Sequence, residues 1–452
     1  MSSEWSYVVD VALLSLFLGI ALYLKRSVRW LQKFLVPTSI IAGFIGLFAS
    51  QEVLGLVKLD SEHMGNIIYH LMSVGFIALA LKERTREKSK AVINTGLFIV
   101  STYVIQGILG FALSLMLFYS FFPNLFPPFG LLLPLGYGQG PGQAYSIGRQ
   151  WESLGFTHGG NIGLSIAAFG FIWACIGGVP LMNYLLKKKR MQISSAQSEA
   201  IKENIHEEDS PDDMPLSDSI DKISIQLFMI GIVYLATYLS LKGASTLLVN
   251  FGTFGQTLSQ LLWGFNFIIG ALFAILLRVI FDFFKKKNIM IRNYPNNYLL
   301  SRISGGCFDF MVAASIAAIS ISILREYFIP VMIITTLGGI LTIVYVVILS
   351  KKVYKTDVLE NLLALYGMLT GTISTGLALL REVDPNFRTK AAKNLVLGSG
   401  VGLFAGFPLM LILNIPIVGY VNNQPLMYFV TLGALAVYLV IILVILLANR
   451  ER

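Results

Sequence analysis

The sequence predicts an all-α polytopic membrane protein: inverted-topology repeats of five spans plus a re-entrant hairpin each, with an extra C-terminal span. Three observations carry this. Of 452 residues, 55% are hydrophobic and 13% charged, about half the charge of an average soluble domain, and the mean hydropathy is +0.72. Residues 136–148 (GYGQGPGQAYSIG) and 367–376 (GMLTGTISTG) suit a membrane but are too rich in glycine and small polar residues for ordinary spanning helices. Each precedes the same local phrase by about 30 residues, Gly178-Val179-Pro180-Leu181-Met182 and Gly406-Phe407-Pro408-Leu409-Met410, a weak internal repeat.

Apolar runs long enough to cross about 30 Å of hydrocarbon lie near residues 8–23, 36–57, 65–81, 91–119 and 160–186, then near 223–241, 258–284, 299–324, 330–349, 394–413 and 426–448. They divide the chain into a first membrane repeat at 1–190, with its hairpin at about 129–148, and a second at 223–424, with its hairpin at about 358–380. The extra span occupies 425–452. The first run lacks a cationic leader and a cleavage site, so it is expected to be kept as a span rather than removed as a signal peptide.

The formal net charge is +9, yet its distribution points to topology and not to nucleic acid. Lys25, Arg26, Arg29 and Lys33 follow the first run; Lys82, Arg84, Arg86, Lys88 and Lys90 follow the third; Lys187 to Arg190 follow the fifth. Residues 60–63 and 121–128, on the alternate side, carry no Lys or Arg. The positive-inside rule therefore places the N-terminus outside and the C-terminus, with Arg450 and Arg452, in the cytoplasm. Lys285 to Lys287, Lys351, Lys352 and Lys355 also fall inside. An odd number of spans per repeat makes the second repeat enter the membrane in the opposite sense, so the hairpins enter from opposite faces and their tips approach near the midplane.

Residues 191–222 form a polar linker, with Glu199, Glu203, Glu207, Glu208, Asp209, Asp212 and Asp213 around Pro211 and Pro215. It reads as a mobile cytoplasmic connection. Cys175 and Cys307 sit in apolar runs and read as small apolar residues. His63, His70, His158 and His206 show no metal spacing, and no cofactor is expected beyond sodium as a coupling ion.

Irregular backbone at membrane depth is tolerated where protein buries it or where it lines a water-filled cavity. In the first hairpin Gly136, Gly138, Gly140 and Gly142 alternate with larger residues, and Pro141 blocks regular helix. Unwound carbonyls can coordinate sodium, and N–H groups opening the next half-helix can hold a carboxylate. The second hairpin adds the hydroxyls of Thr370, Thr372, Ser374 and Thr375. Close packing through small residues is the alternative.

At these residues the chain resembles the bacterial sodium/glutamate symporter family, more distantly the sodium/2-hydroxycarboxylate transporters. The likeness runs through Val36-Pro37-Thr38, the first hairpin with Gly155-Phe156-Thr157 behind it, and the second hairpin through Leu379-Leu380-Arg381 to Asp384-Pro385. It implies a homodimer in the bacterial cell membrane, in which a transport domain carrying both hairpins moves against a dimerising scaffold. Family members that carry glutamate read Gly-Gly-His-Gly-Thr with a nearby Ala-Ala-Trp. Here residues 137–145 read YGQGPGQAY; the His and Thr are replaced, which leaves open glutamate, another amino acid or a dicarboxylate.

Substrate contacts are expected from Gln139, Gly140, Pro141, Gly142 and Gln143, from Asn161 behind the first hairpin, and from Thr375, Gly376 and Arg381. Sodium contacts are expected from Gly138, Thr370, Gly371, Thr372, Ser374 and Asp309. Asp309 is two turns from Arg302, so an ion pair, a cation contact and an interhelical bond all remain open. Arg381 is read either as a bidentate partner for a substrate carboxylate or as a cytoplasmic anchor paired with Glu382 or Asp384. Arg149 is expected to pair with Glu152 on its own helix, and Gln106 and Asn266 to make interhelical bonds.

A secondary transporter accounts for the repeat and the opposed hairpins, and the chain holds no GxxxxGK[ST] phosphate loop for an ATP engine. A channel could use glycine carbonyls for selectivity. An intramembrane enzyme would need a catalytic constellation, and neither HExxH nor a Ser–His couple is present. Sodium-coupled symport of glutamate or a related small carboxylate by elevator-type alternating access is the expectation.

Overall fold

A computed structural model describes residues 3–28, 36–82, 89–193, 216–287, 294–384 and 388–449. Most of the linker at 191–222 lies outside the described residues, as do Arg29, Lys33, Arg84, Arg86, Lys88, Pro385, Arg450 and Arg452, and the side chains of Lys187 to Arg190. Among the described residues nine helices are long and apolar enough to cross a membrane, or ten with one bent pair counted as a span.

The chain begins with α1 (Ser3–Ser27), whose last turn carries Lys25 and Arg26. The run expected at 36–57 yields only α2 (Thr38–Ala49), a helix of 12 residues, about 18 Å long. Pro37 caps its start and the chain turns at Gly55, with φ 68°. Asp60 then caps α3 (Ser61–Leu81), accepting from the N–H groups of Glu62 at 2.8 Å and His63 at 3.1 Å. Next comes α4 (Lys90–Ser120), apolar all round, as a buried membrane helix must be.

The first hairpin descends through a tight turn at Pro127–Leu131, a helical turn at Leu132–Pro134 and a π-helical turn at Leu135–Gln139. It returns as α5 (Pro141–Glu152), with α6 (Gly159–Ile193) following. Then come α7 (Leu216–Val249), α8 (Gly252–Trp263), α9 (Asn266–Lys286), α10 (Asn297–Ala317), α11 (Ile321–Glu326) and α12 (Phe328–Val353). The second hairpin is α13 (Val358–Thr370) and α14 (Ile373–Val383). The chain closes with α15 (Ala391–Ala405), α16 (Phe407–Ile412), α17 (Ile415–Val421) and α18 (Leu426–Ala448).

Three further predicted spans are interrupted. The run at 258–284 divides into α8 and α9, that at 299–324 stops at Ala318, and that at 394–413 bends by 45° after Ala405. The repeated phrase behaves differently in its two copies. Pro180 sits inside the continuous α6, whereas Pro408 follows a break at Gly406.

Helix contacts sort the described elements into two bundles. In the first, α10 packs on α2 and α3, α9 on α3 and α7, α1 on α2, and α8 on α7. In the second, α4 packs on the descending arm of the first hairpin, α12, α15 and α18, while α6 packs on α5 and α13. Both hairpins belong to the second bundle. The bundles meet where α5 lies against α3, α8 and α10, and where α6 meets α10 and α11. Outward faces are apolar: Phe429, Val437, Val440 and Val444 of α18 and Leu272, Leu276 and Val279 of α9 are all exposed, suited to lipid or to a second membrane-embedded surface.

The turn between α10 and α11 is gripped from both bundles. From the α2–α3 loop, Glu52 accepts from Ser320 Oγ at 2.8 Å and from the N–H groups of Ile321 at 2.6 Å and Ser322 at 3.1 Å. Burial opposes its charge, but the Ser322 N–H, the Ser320 hydroxyl and the Ile321 N–H outweigh that and hold the carboxyl below the usual range. From α6, Asn161 Nδ2 donates to the Ala318 carbonyl at 3.1 Å and its Oδ1 accepts from the Ser320 N–H at 3.0 Å.

Candidate functional site

The two hairpin breaks face each other. At Gly140 the backbone takes φ 97° and ψ 172°, a region essentially reserved for glycine. A Cβ built there would stand 3.9 Å from Cγ2 of Thr372. Around the junction lies a cavity of about 160 Å³. Its wall includes Gly138, Gln139, Gly140, Gly142 and Gln143 of the first hairpin and Gly371, Thr372 and Ser374 of the second, with Asp309 of α10 opposite. Met72, Phe76, Phe171, Phe267, Phe308 and Met311 supply much of its apolar surface.

The glycines are required by close approach. Any side chain at Gly138 would run into the Tyr103 ring, 2.2 Å from a built Cβ, and Tyr103 donates its hydroxyl to the Gly138 carbonyl at 2.9 Å. The arms of the second hairpin meet at Gly376, whose Cβ would stand 2.3 Å from the Ala364 carbonyl oxygen.

Each break sets a helix N-terminus at the cavity. Pro141 opens α5 and has no N–H to lose, and the first-turn N–H groups of Gly142 and Gln143 have no carbonyl of their own helix to pair with. Gln143 is 3% exposed and its Oε1 has no hydrogen-bond partner. At the start of α14 the Thr372 hydroxyl accepts from the Thr375 N–H at 3.4 Å and lies 3.2 Å from the Thr375 hydroxyl. The arrangement thus offers N–H donors and positive helix ends to an anion, and hydroxyl, amide and carboxylate oxygens to a cation.

Six of the expected residues are not part of the wall, among them Pro141, which opens α5 between Gly140 and Gly142. Asn161 holds the α10–α11 turn. Thr370 donates its hydroxyl to the Tyr366 carbonyl at 2.8 Å. Thr375 and Gly376 are buried between the arms of their hairpin. Arg381 is exposed in the last turn of α14. Below it, Asp384 is committed to its own loop, accepting from the Arg388 N–H at 2.9 Å, the Thr389 N–H at 2.8 Å and the Thr389 hydroxyl at 2.6 Å. Burial opposes the Asp384 charge, and these donors with Arg388 outweigh it and hold the carboxyl below its ordinary range.

Of the alternatives left open for Asp309, the structure shows the interhelical bond, with the Ser39 hydroxyl, while Arg302 lies 5.1 Å over the Tyr298 ring. One pairing differs from the sequence expectation. Arg149 donates to the Tyr145 hydroxyl at 2.6 Å and stands 4.0 Å from Glu62, while Glu152 accepts from the Gly160 N–H at 2.9 Å. The orphan N–H at the start of α6 is the stronger claim on that carboxylate.

Sequence reasoning passed over Tyr103 and gave Gln106 only an interhelical bond, yet both meet the hairpins. Gln106 is fully buried, and its Nε2 donates to Thr342 Oγ1 at 2.9 Å and to the Leu369 carbonyl at 3.0 Å. Among the described residues no group of three or more His, Cys, Asp or Glu side chains could hold a metal ion.

The family described as sodium/glutamate symporter matches residues 4–358. Over 204 residues the chain is 27% identical to a sodium/glutamate symporter of Haemophilus influenzae, an alignment covering 42% of this chain and 47% of that protein. The chain thus matches about half the length of this curated relative. No solved structure matches.

Proposed function

The chain belongs to the sodium/glutamate symporter family, and from that premise we propose that it is a secondary active transporter coupling sodium entry to uptake of glutamate or a related small carboxylate. The observation that carries the reading is the meeting of two broken helices, Gly140 against Thr372, around one cavity. Broken helices of this kind pair an anion at their N-terminal halves with a cation at freed carbonyls. The substrate carboxylate is assigned to the first turn of α5 through Gly142 and Gln143, with Gln139, Gly140 and Pro141 shaping the approach. Sodium is assigned to carbonyls of Gly138, Thr370 and Gly371, the hydroxyls of Thr372 and Ser374, and the carboxylate of Asp309. Thr375 and Gly376 set the shape of the second hairpin, Asn161 steadies its surroundings, and Arg381 guards its cytoplasmic foot. Ion and substrate are linked because each stabilises the same closed arrangement.

Elevator-type alternating access has its support in the partition into bundles. The α2–α10 contact has a counterpart in α9–α3, and α1–α2 in α7–α9, as an inverted duplication requires. The hairpin bundle is the moving unit; the other is the scaffold of a homodimer in the cell membrane, N-terminus outside. A neutral amino acid is the second reading, favoured by the phenylalanine and methionine wall of the cavity.

Flux into proteoliposomes decides between them. Labelled glutamate, neutral amino acids and dicarboxylates are offered with and without an inward sodium gradient. Accumulation of one class above equilibrium only with the gradient is the expected result. Gradient-independent, non-accumulating flux would sink the symporter reading in favour of a channel.

A further inference from the structure

We propose that the amide oxygen of Gln106 is a side-chain ligand of the coupling cation, where the C-terminal ends of the inward-running arms of the two hairpins approach each other. This rests on the sodium-coupled reading above and adds to it a residue on α4, outside both hairpins.

The orientation of the Gln106 amide is fixed by chemistry. Its Nε2 faces the Leu369 carbonyl, which can only accept, and Thr342 Oγ1, whose own proton goes to the Gly338 carbonyl at 2.7 Å. Two acceptors demand the NH₂ group, so Oε1 points the other way. There it is buried and has no hydrogen-bond partner. A Cβ built on Gly138 would stand 3.3 Å from it, which places the oxygen against the main chain of the π-helical turn.

The neighbourhood is rich in acceptors. The arm ending at Gln139 and the helix ending at Thr370 both present C-terminal carbonyls, the negative ends of their dipoles. Gln106 binds one of these ends through Nε2 and turns its free oxygen to the other. An unpaired buried acceptor is costly, and a cation would satisfy it together with nearby carbonyls. A buried water could also donate to Oε1; only a cation makes the occupancy depend on sodium. Gly138 and Tyr103 both line the cavity and are hydrogen-bonded to each other, so loading the site braces the backbone from which α5 receives the substrate.

The test uses the purified full-length protein in detergent, its melting temperature followed as sodium chloride replaces choline chloride at constant ionic strength. Wild type is expected to gain stability with sodium. In Gln106→Met, close in shape but without the oxygen, the sodium midpoint should rise by about tenfold or more. Thr342→Val removes an anchor of the same amide and should melt lower while keeping the wild-type midpoint. A wild-type midpoint in Gln106→Met, or an equal shift in both variants, overturns the assignment and leaves sodium coupling standing. A wild type indifferent to sodium removes the coupling reading and this site together. Should Gln106→Met fail to fold, Gln106→Glu decides: a ligand role makes its sodium midpoint fall as pH rises and the carboxyl ionises, whereas a midpoint equal to wild type at every pH overturns the proposal.

Discussion

The two hairpins reach one cavity with different backbones. The first breaks at Gly140, at φ 97°, with no side-chain cap on the helix that follows. The second breaks at Thr372, at φ −143° and ψ 171°, ordinary extended geometry, and the Thr372 hydroxyl caps its own helix. One break can be built only by glycine and leaves first-turn donors uncovered. The other has, at Thr372, a backbone that any residue adopts, and spends a hydroxyl on its own N–H group. The first hairpin thus presents an uncapped helix start to the cavity and the second a capped one.

Gly140→Ala should break that contrast most severely. The position lies where a side chain costs about 1–3 kcal/mol in backbone strain, although space around it is open. The half-saturating substrate concentration in proteoliposome uptake should rise about tenfold or more, with insertion unchanged. Parental uptake would mean that the break does not shape the site.

Thr372→Val separates the two uses of a hydroxyl. Loss of the cap should lower stability by about 1 kcal/mol. If the oxygen also coordinates sodium, the sodium concentration for half-maximal uptake rises by about tenfold. A lower melting temperature with parental sodium dependence would confine Thr372 to capping.

The smallest effect is at the foot of the second hairpin. The Asp384 carboxyl is held below its ordinary range, so its stabilisation is complete above the unfolded value of 3.8 and is lost as pH falls through the lower folded value. Asp384→Asn should melt below wild type at pH 7, by a gap that closes as the pH falls below about 4. A gap that is constant with pH would assign the loss to packing.

Both breaks were legible in the sequence, because Gly140-Pro141 and Gly371-Thr372 disturb helix by their covalent nature. The interruptions at Gly264-Phe265 and Ala318 were not: hydropathy runs on across them, and what stops the helix is tertiary. The lining of the candidate cavity was legible along each hairpin and illegible across helices. Gln106 is one polar residue in a long apolar run, and nothing in its neighbours tells that Gly138 and Leu369 arrive beside it. Arg149 and Glu152 have helical spacing, yet an orphan N–H at Gly160, distant in pattern though near in chain, takes the carboxylate.

The grip on the α10–α11 turn has a mechanical consequence. Glu52 holds it through a carboxylate and several charge-assisted bonds, whereas Asn161 holds it through one neutral donor and one neutral acceptor. Under shear between the bundles the weaker side parts first. In the elevator motion proposed above, the slip plane would run between Asn161 and Ala318, with the turn riding on the first bundle and the two amide bonds acting as a detent for α6.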